Sequence, residues 1–140
     1  MTIRPAARED LAAISKIQAA SREASAWEPS SYLDYSCRVA VIDGRVVGFL
    51  VFRRIAQGDA EGEHEILNLS VEPAQRRRGV AGSLVNAALA QAHGAWYLEV
   101  RESNVAAIRL YESLGFRPAG RREEYYADPP EAAIVMRFFS

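Results

Sequence analysis

A short basic segment carries the clearest chemical signal in this sequence. Three consecutive arginines at 76–78 stand before Gly79, Ala81 and Gly82, where a strand-like segment gives way to a helical pattern. The first turn of a helix has unpaired N–H groups and the positive end of the helix dipole, and small side chains let a ligand approach that backbone. The segment therefore predicts an anion site, for which a pyrophosphate is the natural occupant. A solvated basic turn before a core helix is the alternative.

Size, charge and cysteine content limit the classes of protein that this chain can represent. Its 140 residues fit one domain, 1–140, and 17 basic against 18 acidic residues leave a formal net charge of −1. That balance argues against a protein that coats nucleic acid or an anionic membrane by bulk electrostatics. A single cysteine, Cys37, can form neither an internal disulfide nor a multi-cysteine zinc site, and with two histidines no metal is expected.

The distribution of apolar residues indicates where the protein works. Residues 1–10 are charged and contain no apolar signal region. The longest strongly apolar stretch, residues 46–52, is too short to cross a bilayer as a helix. We therefore expect a cytoplasmic protein with no membrane and no nucleic-acid partner, present as a monomer or a weak dimer.

Apolar periodicity predicts the elements that must position the basic turn. The predicted order is βα(α)βββαβαββ, a mixed α/β domain with an antiparallel first half and a βαβ-type second half. Asp43-Gly44 between two apolar runs indicates a type I′ hairpin turn, because both central residues need positive φ. Asn104 is predicted to cap a helix that Gly115 ends. Helices are expected from Asp10, within 24–36, from Val80 and after Asn104; strands are expected at Ile3 and at about 37–42, 45–54, 63–71, 96–100, 116–123 and 132–139, with a loop at 125–130.

Several segments resemble one enzyme family. Residues 76–81, Arg-Arg-Arg-Gly-Val-Ala, match the Arg/Gln-x-x-Gly-x-Gly/Ala signature of the GCN5-related N-acetyltransferase (GNAT) superfamily, and the predicted element order is that of the family. Residues 66–73, 98–116 and 121–126, followed by 131–136, are similar to its RimI-type branch, the ribosomal-protein-alanine N-acetyltransferases. The resemblance implies a single-domain GNAT (acyl-CoA N-acyltransferase) fold with a mixed, mostly antiparallel sheet flanked by helices. It also implies acetyl-CoA as cosubstrate, without a metal.

The reaction implied by the resemblance moves an acetyl group from a thioester to the N-terminal α-amine of a protein, such as a ribosomal protein, by direct attack in a ternary complex. Glu99, on a strand otherwise built of apolar and aromatic residues, matches the family's proposed general base. Tyr111 matches the proposed acid, since a phenol with a pKa near ~10 can protonate a departing thiolate whose acid has a pKa near ~8.5. The alternatives are a strand-edge glutamate in solvent and a core aromatic residue.

Coenzyme contacts are also carried over from the family. The strand residues 69–71 are expected to offer main-chain groups to the pantetheine arm and the thioester carbonyl, although their side chains face the core. Asn104 resembles an asparagine that contacts the coenzyme, besides its role as a helix cap. The full set of expected coenzyme-binding residues is Leu69, Ser70, Val71, Arg76, Arg77, Arg78, Gly79, Val80, Ala81, Gly82 and Asn104.

The acceptor side is expected to be aromatic and acidic. Its candidate residues are Trp27, Tyr32, Tyr125 and Tyr126, and nearby acidic residues such as Glu131 would suit a cationic peptide N-terminus. Ordinary solvated charge is the alternative. His64 could supply a second base, but a solvated strand entrance is the favoured interpretation.

Three functions agree with these features. The first is acetylation of a protein N-terminus; the second is the same chemistry on a small amine such as a polyamine, an amino acid or an antibiotic. The third is a non-catalytic module that binds acyl-CoA, against which the presence of both Glu99 and Tyr111 counts. An acetyl-cysteine intermediate on Cys37 is not expected, because no motif ties a base to it, and a small, partly buried strand residue is favoured.

Overall fold

A computed structural model describes residues 1–20, 28–56, 62–127 and 129–139. Within these ranges the strands follow the order β1-β2-β3-β4-β5-β7-β6 in the sheet. The strands are β1 (Thr2–Pro5), β2 (Ser36–Ile42), β3 (Arg45–Ala56), β4 (Glu63–Val71), β5 (Ala95–Arg101), β6 (Arg117–Ala127) and β7 (Pro130–Phe139). The α-helices are α1 (Leu11–Ala19), α2 (Val80–Gln91) and α3 (Val105–Ser113), and short 3-10 turns cover Arg8–Asp10, Pro29–Asp34 and Pro73–Gln75. This sequence of elements confirms the predicted mixed α/β order.

The chain divides into two compact units. The first comprises Met1–Arg53 and Leu67–Gln91, and the second comprises Arg54–Ile66 and Ala92–Ser140. No helix in the described ranges is both long and apolar enough to cross a membrane.

The first unit is built on an antiparallel meander of β1, β2 and β3. Asp43 (φ 50°) and Gly44 (φ 74°) both have positive φ between β2 and β3, which confirms the type I′ turn expected from this dipeptide. The apolar face of helix α1 packs on these strands, and the side chains of the helix and the strands form a core that excludes water. This core contains Ile14, Ile17, Tyr32, Cys37, Val39, Phe49 and Val51.

An ion pair holds the start of α1 to the first strand. The guanidinium of Arg4 donates to both carboxylate oxygens of Asp10, at 2.7 and 3.0 Å, and the Ala7 N–H donates to the same carboxylate at 2.7 Å. Asp10 is buried. The hydrogen bonds from Arg4 outweigh the effect of burial, so the pKa of Asp10 is lowered.

The second unit contains the parallel and antiparallel ladders of β5. The first residues of β4 pair in parallel with β5, from Glu63↔Ala95 to Glu65↔Tyr97, and β7 pairs with β5 in the antiparallel sense. The parallel pair agrees with the predicted βαβ-type connection. The fully buried indole of Trp96 donates to the carbonyl of Ala92 at 2.9 Å, so its polar N–H is satisfied inside the core.

Helix α3 has both of the end signals that the sequence predicts. The Asn104 Oδ1 accepts a hydrogen bond from the Ala107 N–H at 3.1 Å, which satisfies one of the unpaired donors of the first turn. Gly115 follows the helix with φ 104°, a conformation that a glycine adopts without the strain imposed on other residues.

The last hairpin is longer than predicted. A loop at 125–130 was expected, but β6 continues to Ala127 and the pairs Tyr126↔Glu131 and Ala127↔Pro130 extend the ladder. The prediction of a loop was wrong because proline is tolerated at the first residue of a strand, where Pro130 stands. Tyr125 and Tyr126 therefore belong to a strand and not to a loop.

We predict that Asp10→Ala lowers the free energy of unfolding at pH 7 by about 1–3 kcal/mol, because it leaves the Ala7 N–H and Arg4 without their acceptor. Since the folded pKa of Asp10 is depressed, this stabilisation is present above the unfolded value near ~3.9 and is lost as the pH falls through the folded pKa. Urea unfolding of both proteins between pH 7 and pH 2 measures the effect. The exposed Glu9→Ala is the control, and an equal difference at both pH values would contradict the assignment.

Candidate active site

The predicted anion site lies in the first unit, at the start of α2. The preceding turn places Arg77 (φ 65°) and Gly79 (φ 79°) in the left-handed region. The first helical hydrogen bond runs from the Ser83 N–H to the Gly79 carbonyl at 3.0 Å, so the N–H groups of residues 80–82 precede the helical ladder. Backbone N–H groups gathered by a turn of this kind form a concave binding place for an anion.

The arginines of this turn are exposed, and one of them ties the turn to β4. The Arg76 Nε–H donates to the Val71 carbonyl at 3.3 Å. The side chains of Arg76, Arg77 and Arg78 lie at the surface, where they add positive charge beside the helix N-terminus. The geometry thus offers backbone donors, a helix dipole and exposed cationic side chains in one short segment.

Gly48 on β3 is a residue that the sequence reasoning missed. A Cβ atom at this position would lie 3.2 Å from the Ser70 carbonyl oxygen and 3.2 Å from Cγ1 of Val80, the first residue of α2. The Glu72 N–H donates to the Val47 carbonyl beside it at 2.8 Å. Glycine is therefore needed where β3, the end of β4 and the start of α2 pack closely. A glycine inside a strand pattern is the signal that could have identified it.

The main chain of β4 departs from a simple ladder near the predicted pantetheine residues. The Leu69 N–H donates to the side-chain oxygen of Asn68 at 3.0 Å. Ser70 and Val71 are buried and Leu69 is half-buried, as expected for side chains that face the core. The buried Ser70 Oγ has no hydrogen-bond partner within the described residues.

Tyr32 lies in the core of the first unit and not on an acceptor surface. Its side chain has no exposed area, its hydroxyl donates to Gln18 Oε1, and Asn68 Nδ2 donates to the Tyr32 oxygen at 3.0 Å. Burial raises the pKa of this phenol. The structure thus gives no surface for the acceptor contact expected of Tyr32. Trp27 lies outside the described residues.

Glu99 stands on the half-buried face of β5, in the second unit. Trp96, Leu98 and Val100 are buried on one face of the strand, whereas Glu99 alternates with them. Its Oε1 accepts a hydrogen bond from Arg122 Nη1 at 2.8 Å. Its Oε2 is buried and has no hydrogen-bond partner within the described residues. With 17% of its side chain exposed, Glu99 is not the solvated strand-edge residue of the alternative interpretation.

Tyr111 is a buried residue of α3 whose ring lies edge-on to Phe116, with centroids 5.5 Å apart. Burial is the main reason that its pKa is raised, and the neighbouring Tyr126 raises it further. The phenol therefore keeps its proton at neutral pH and can donate it, or a hydrogen bond, to a developing anion. The packing against Phe116 also gives Tyr111 the core role that the helical spacing alone would favour.

A bulge in β6 brings Tyr125 and Tyr126 together. Arg122 pairs with Ala133 and Tyr126 with Glu131, so residues 123–125 oppose a single residue of β7. Glu124 has φ 50° inside this bulge. Consecutive residues of a regular strand point to opposite faces, but a bulge redirects side chains. The two tyrosine rings accordingly lie edge to face, 5.0 Å apart.

Each tyrosine of this pair lies under an arginine. The guanidinium carbon of Arg122 is 4.6 Å from the Tyr125 ring centroid, and that of Arg101 is 4.2 Å from the Tyr126 centroid. Burial raises the pKa of Tyr126 to about 12. The pKa of Tyr125 is raised first by burial and then by the negative charge of Glu99. Both phenols are therefore neutral hydrogen-bonding groups beside the Glu99 carboxylate.

Glu131 closes this group from β7. It accepts hydrogen bonds from the Ser103 N–H at 2.6 Å and from Arg101 at 3.3 Å. The hydrogen bonds from Ser103 are the main cause of its lowered pKa, so it remains a carboxylate at neutral pH. The second unit thus brings Glu99, Tyr111, Tyr125, Tyr126 and Glu131 into one group, while Asn104 caps α3 nearby in the chain.

His64 and Cys37 are buried. His64 stacks on Trp96 with ring centroids 4.8 Å apart, and its Nε2 lies 3.2 Å from the His93 carbonyl oxygen. The prediction of a solvated strand entrance at His64 was therefore wrong, because the ring packs on an aromatic neighbour of the paired strand. Cys37 is a free thiol, and burial raises its pKa to about 12. In the described ranges no three His, Cys, Asp or Glu side chains are grouped in a way that could hold a metal ion.

Comparison with known proteins identifies relatives of this chain. The sequence pattern of the acetyltransferase (GNAT) family matches residues 6–116. The N-alpha-acetyltransferase RimI of Mycobacterium tuberculosis is 37% identical over 95 residues, which are 67% of this chain and 60% of that protein. Matches to other curated relatives cover between 32% and 66% of their lengths, so the chain spans less than two thirds of these proteins.

Solved structures extend the likeness to nearly the whole chain. The ribosomal-protein-S18-alanine N-acetyltransferase from Escherichia coli superposes with a TM-score of 0.79 at 30% identity, covering 98% of this chain and 92% of that one. NAA60 from Arabidopsis thaliana in complex with acetyl-CoA gives a TM-score of 0.87 at 20% identity, covering 99% and 97%. The second likeness shows a shared fold.

We predict that Cys37 in the folded protein reacts with an aromatic disulfide reagent at pH 8 at least about 100-fold more slowly than in the denatured chain, because its thiol is buried and scarcely ionised. Absorbance of the released thiolate measures both rates. Cys37→Ser, denatured, gives the background. A folded protein that reacts at the denatured rate would contradict the inert role and restore Cys37 as a candidate nucleophile.

Proposed function

We propose, from the premise that this chain belongs to the acetyltransferase (GNAT) family, that it transfers an acetyl group from acetyl-CoA to the N-terminal α-amine of a protein. The observation that carries the proposal is the group of neutral phenols around the half-buried carboxylate of Glu99 in the second unit. A carboxylate with aromatic neighbours suits a cationic amine that must lose a proton before it attacks.

The turn before α2 is the proposed place of the coenzyme pyrophosphate. The left-handed residues Arg77 and Gly79 and the N–H groups of residues 80–82 would supply backbone donors, and the exposed arginines would add charge. The main chain of residues 69–71 and the side chain of Asn104 would contact the rest of the coenzyme. These assignments rest on the family's pattern together with the local geometry of each segment.

The proposed reaction is direct attack in a ternary complex. The neutral amine nitrogen bonds to the thioester carbonyl carbon, and the carbonyl electrons move to its oxygen. The tetrahedral intermediate then breaks its C–S bond, which leaves an amide and a coenzyme thiolate. Glu99 accepts the proton lost by nitrogen, directly or through water, and Tyr111 gives its proton to the leaving sulfur; proton exchange with solvent then returns Glu99 to a carboxylate and Tyr111 to a phenol.

An α-amine fits this site better than a lysine side chain. An α-amine titrates near ~7.7–8.0 and a lysine ε-amine near ~10.4, so at neutral pH a far larger fraction of the α-amine is already neutral. Glu99, whose Oε1 accepts a hydrogen bond from Arg122, would therefore have to deprotonate a smaller fraction of an α-amine than of a lysine side chain. Tyr125 keeps 45% of its surface exposed, which leaves an aromatic face for the first residues of a peptide, such as that of a ribosomal protein.

We predict that Tyr111→Phe lowers kcat by about 10- to 100-fold, as expected for loss of a general acid, and that this loss is at least as large as the change in KM for acetyl-CoA. The ring packing against Phe116 is kept, so the fold should persist. Steady-state kinetics measures both constants, with Tyr97→Phe on β5 as the matched control. An unchanged kcat in Tyr111→Phe would show that the phenol is a core residue only.

We predict that short peptides with a free N-terminus are acetylated and that the same peptides with a blocked N-terminus are not, even when they contain lysine. The panel should vary the first two residues, include the N-terminus of a ribosomal protein, and set polyamines, amino acids and aminoglycosides beside them. Mass spectrometry locates the acetyl group.

Two results would overturn the proposal in different ways. If acetyl groups are transferred only to small amines, the proposed chemistry stands but the proposed acceptor, a protein N-terminus, is wrong. Binding of acetyl-CoA without transfer to any amine would instead favour a non-catalytic acyl-CoA module.

A further inference from the structure

We propose that Arg122 is a positioning residue for Glu99: its guanidinium holds one carboxylate oxygen so that the other is presented to the acceptor amine. The inference rests on the proposed function for the identity of the amine, but the contact on which it depends belongs to the second unit alone.

The two oxygens of Glu99 have different surroundings. Oε1 accepts a hydrogen bond from Arg122 Nη1 at 2.8 Å, whereas Oε2 is buried and lacks a partner within the described residues. A buried carboxylate oxygen without a donor is costly, so such an atom invites one. The N–H of an incoming amine, or a water that bridges to it, would satisfy Oε2 without displacing Arg122.

Arg122 is itself restrained on a second side. Its guanidinium carbon lies 4.6 Å from the ring centroid of Tyr125, the last residue of the β6 bulge. The side chain of Arg122 is 56% exposed, and an exposed arginine would otherwise sample many rotamers. The contacts of Arg122 with the Tyr125 ring and with the Glu99 carboxylate limit the rotamers that Arg122 can adopt. The restrained guanidinium in turn restrains the orientation of Glu99.

The other charged groups near Glu99 have partners of their own. Arg101, on the same strand, donates to Glu131 at 3.3 Å and to the Pro129 carbonyl at 3.0 Å. From the other elements, the phenols of Tyr125 and Tyr126 interact with the Glu99 carboxylate, Tyr125 also through its hydroxyl, and Glu65 on β4 acts on Tyr125. Arg122 is therefore the guanidinium that the described contacts place on Glu99.

The preceding residue supplies a matched control. Arg121 donates to Glu102 at 2.6 and 3.2 Å and also contacts Glu123, and it is exposed to a similar extent. Like Arg122, Arg121 is positively charged, lies on β6 and is paired with a glutamate, but none of its described contacts is with Glu99. If kcat falls when Arg122 is replaced but not when Arg121 is replaced, the loss therefore results from the contact with Glu99 and not from a change in the net charge of β6.

The experiment is a double-mutant cycle on turnover with the full chain. We expect Arg122→Gln to lower kcat about tenfold, with KM for acetyl-CoA within twofold of the wild type, because the coenzyme segment is not touched. Arg122→Lys should restore part of kcat, since an ammonium replaces the charge but not the planar fork. Arg121→Gln should stay within twofold of the wild type in both constants.

The cycle separates positioning of Glu99 from a general structural role. In a Glu99→Gln background, Arg122→Gln should cost no more than a further twofold, because a residue that acts through Glu99 has nothing left to orient. An equal tenfold loss in both backgrounds would overturn the proposal, and so would a kcat for Arg122→Gln that equals that of Arg121→Gln.

The acceptor panel keeps this test independent of the proposed function. If the wild type acetylates only small amines, the N-terminal proposal fails, and the same cycle on that amine still decides the role of Arg122. If no amine is acetylated, urea unfolding of the wild type, the two single variants and the double variant measures the coupling between Arg122→Gln and Glu99→Gln, and the same set with Arg121→Gln is the control. A stabilising coupling, absent between Arg121→Gln and Glu99→Gln, supports the contact, and zero coupling overturns it.

Discussion

The antiparallel pairing of β5 with β7 is the constraint on which the second unit depends. It runs along all of β5, from Ala95↔Phe139 to Arg101↔Ala133, and satisfies backbone groups that burial would otherwise leave unpaired. The register decides that Trp96 and its alternate neighbours are buried while Glu99 stands on the half-buried face. A shift of one residue would exchange these faces and place a carboxylate in the apolar core.

The first unit depends on a different constraint, which is close packing at a position where the residue has no side chain. Gly48 allows β3 to approach the Ser70 carbonyl and the side chain of Val80, the first residue of α2. The turn before the helix then accepts unusual backbone geometry, with a non-glycine residue, Arg77, in the left-handed region. Strain of this kind persists where the surrounding structure holds it and is common in segments that bind ligands.

Charged side chains of one sign are concentrated in particular segments, although the whole chain is nearly neutral. The exposed arginines 76–78 add positive charge at one helix N-terminus, whereas Glu99 and Glu131 are carboxylates that accept hydrogen bonds from arginines and a backbone N–H. A net charge of −1 therefore excludes bulk attraction to polyanions but not a strong field at one segment. Such fields act over about a Debye length, roughly 8–10 Å in physiological salt.

The sequence by itself determined the features that depend on neighbouring residues. The Asp43-Gly44 turn, the Asn104 cap and the bounds of β4 follow from local backbone preferences, which a short segment carries with it. Only the tertiary structure decided the burial of Tyr32 and His64, the continuation of β6 through Tyr125 and Tyr126, and the contact of Arg122 with Glu99. These features depend on strand register, on bulges and on contact partners that are distant in sequence. The residue pattern of one strand does not determine them, because they depend on how that strand pairs with its neighbour in the sheet.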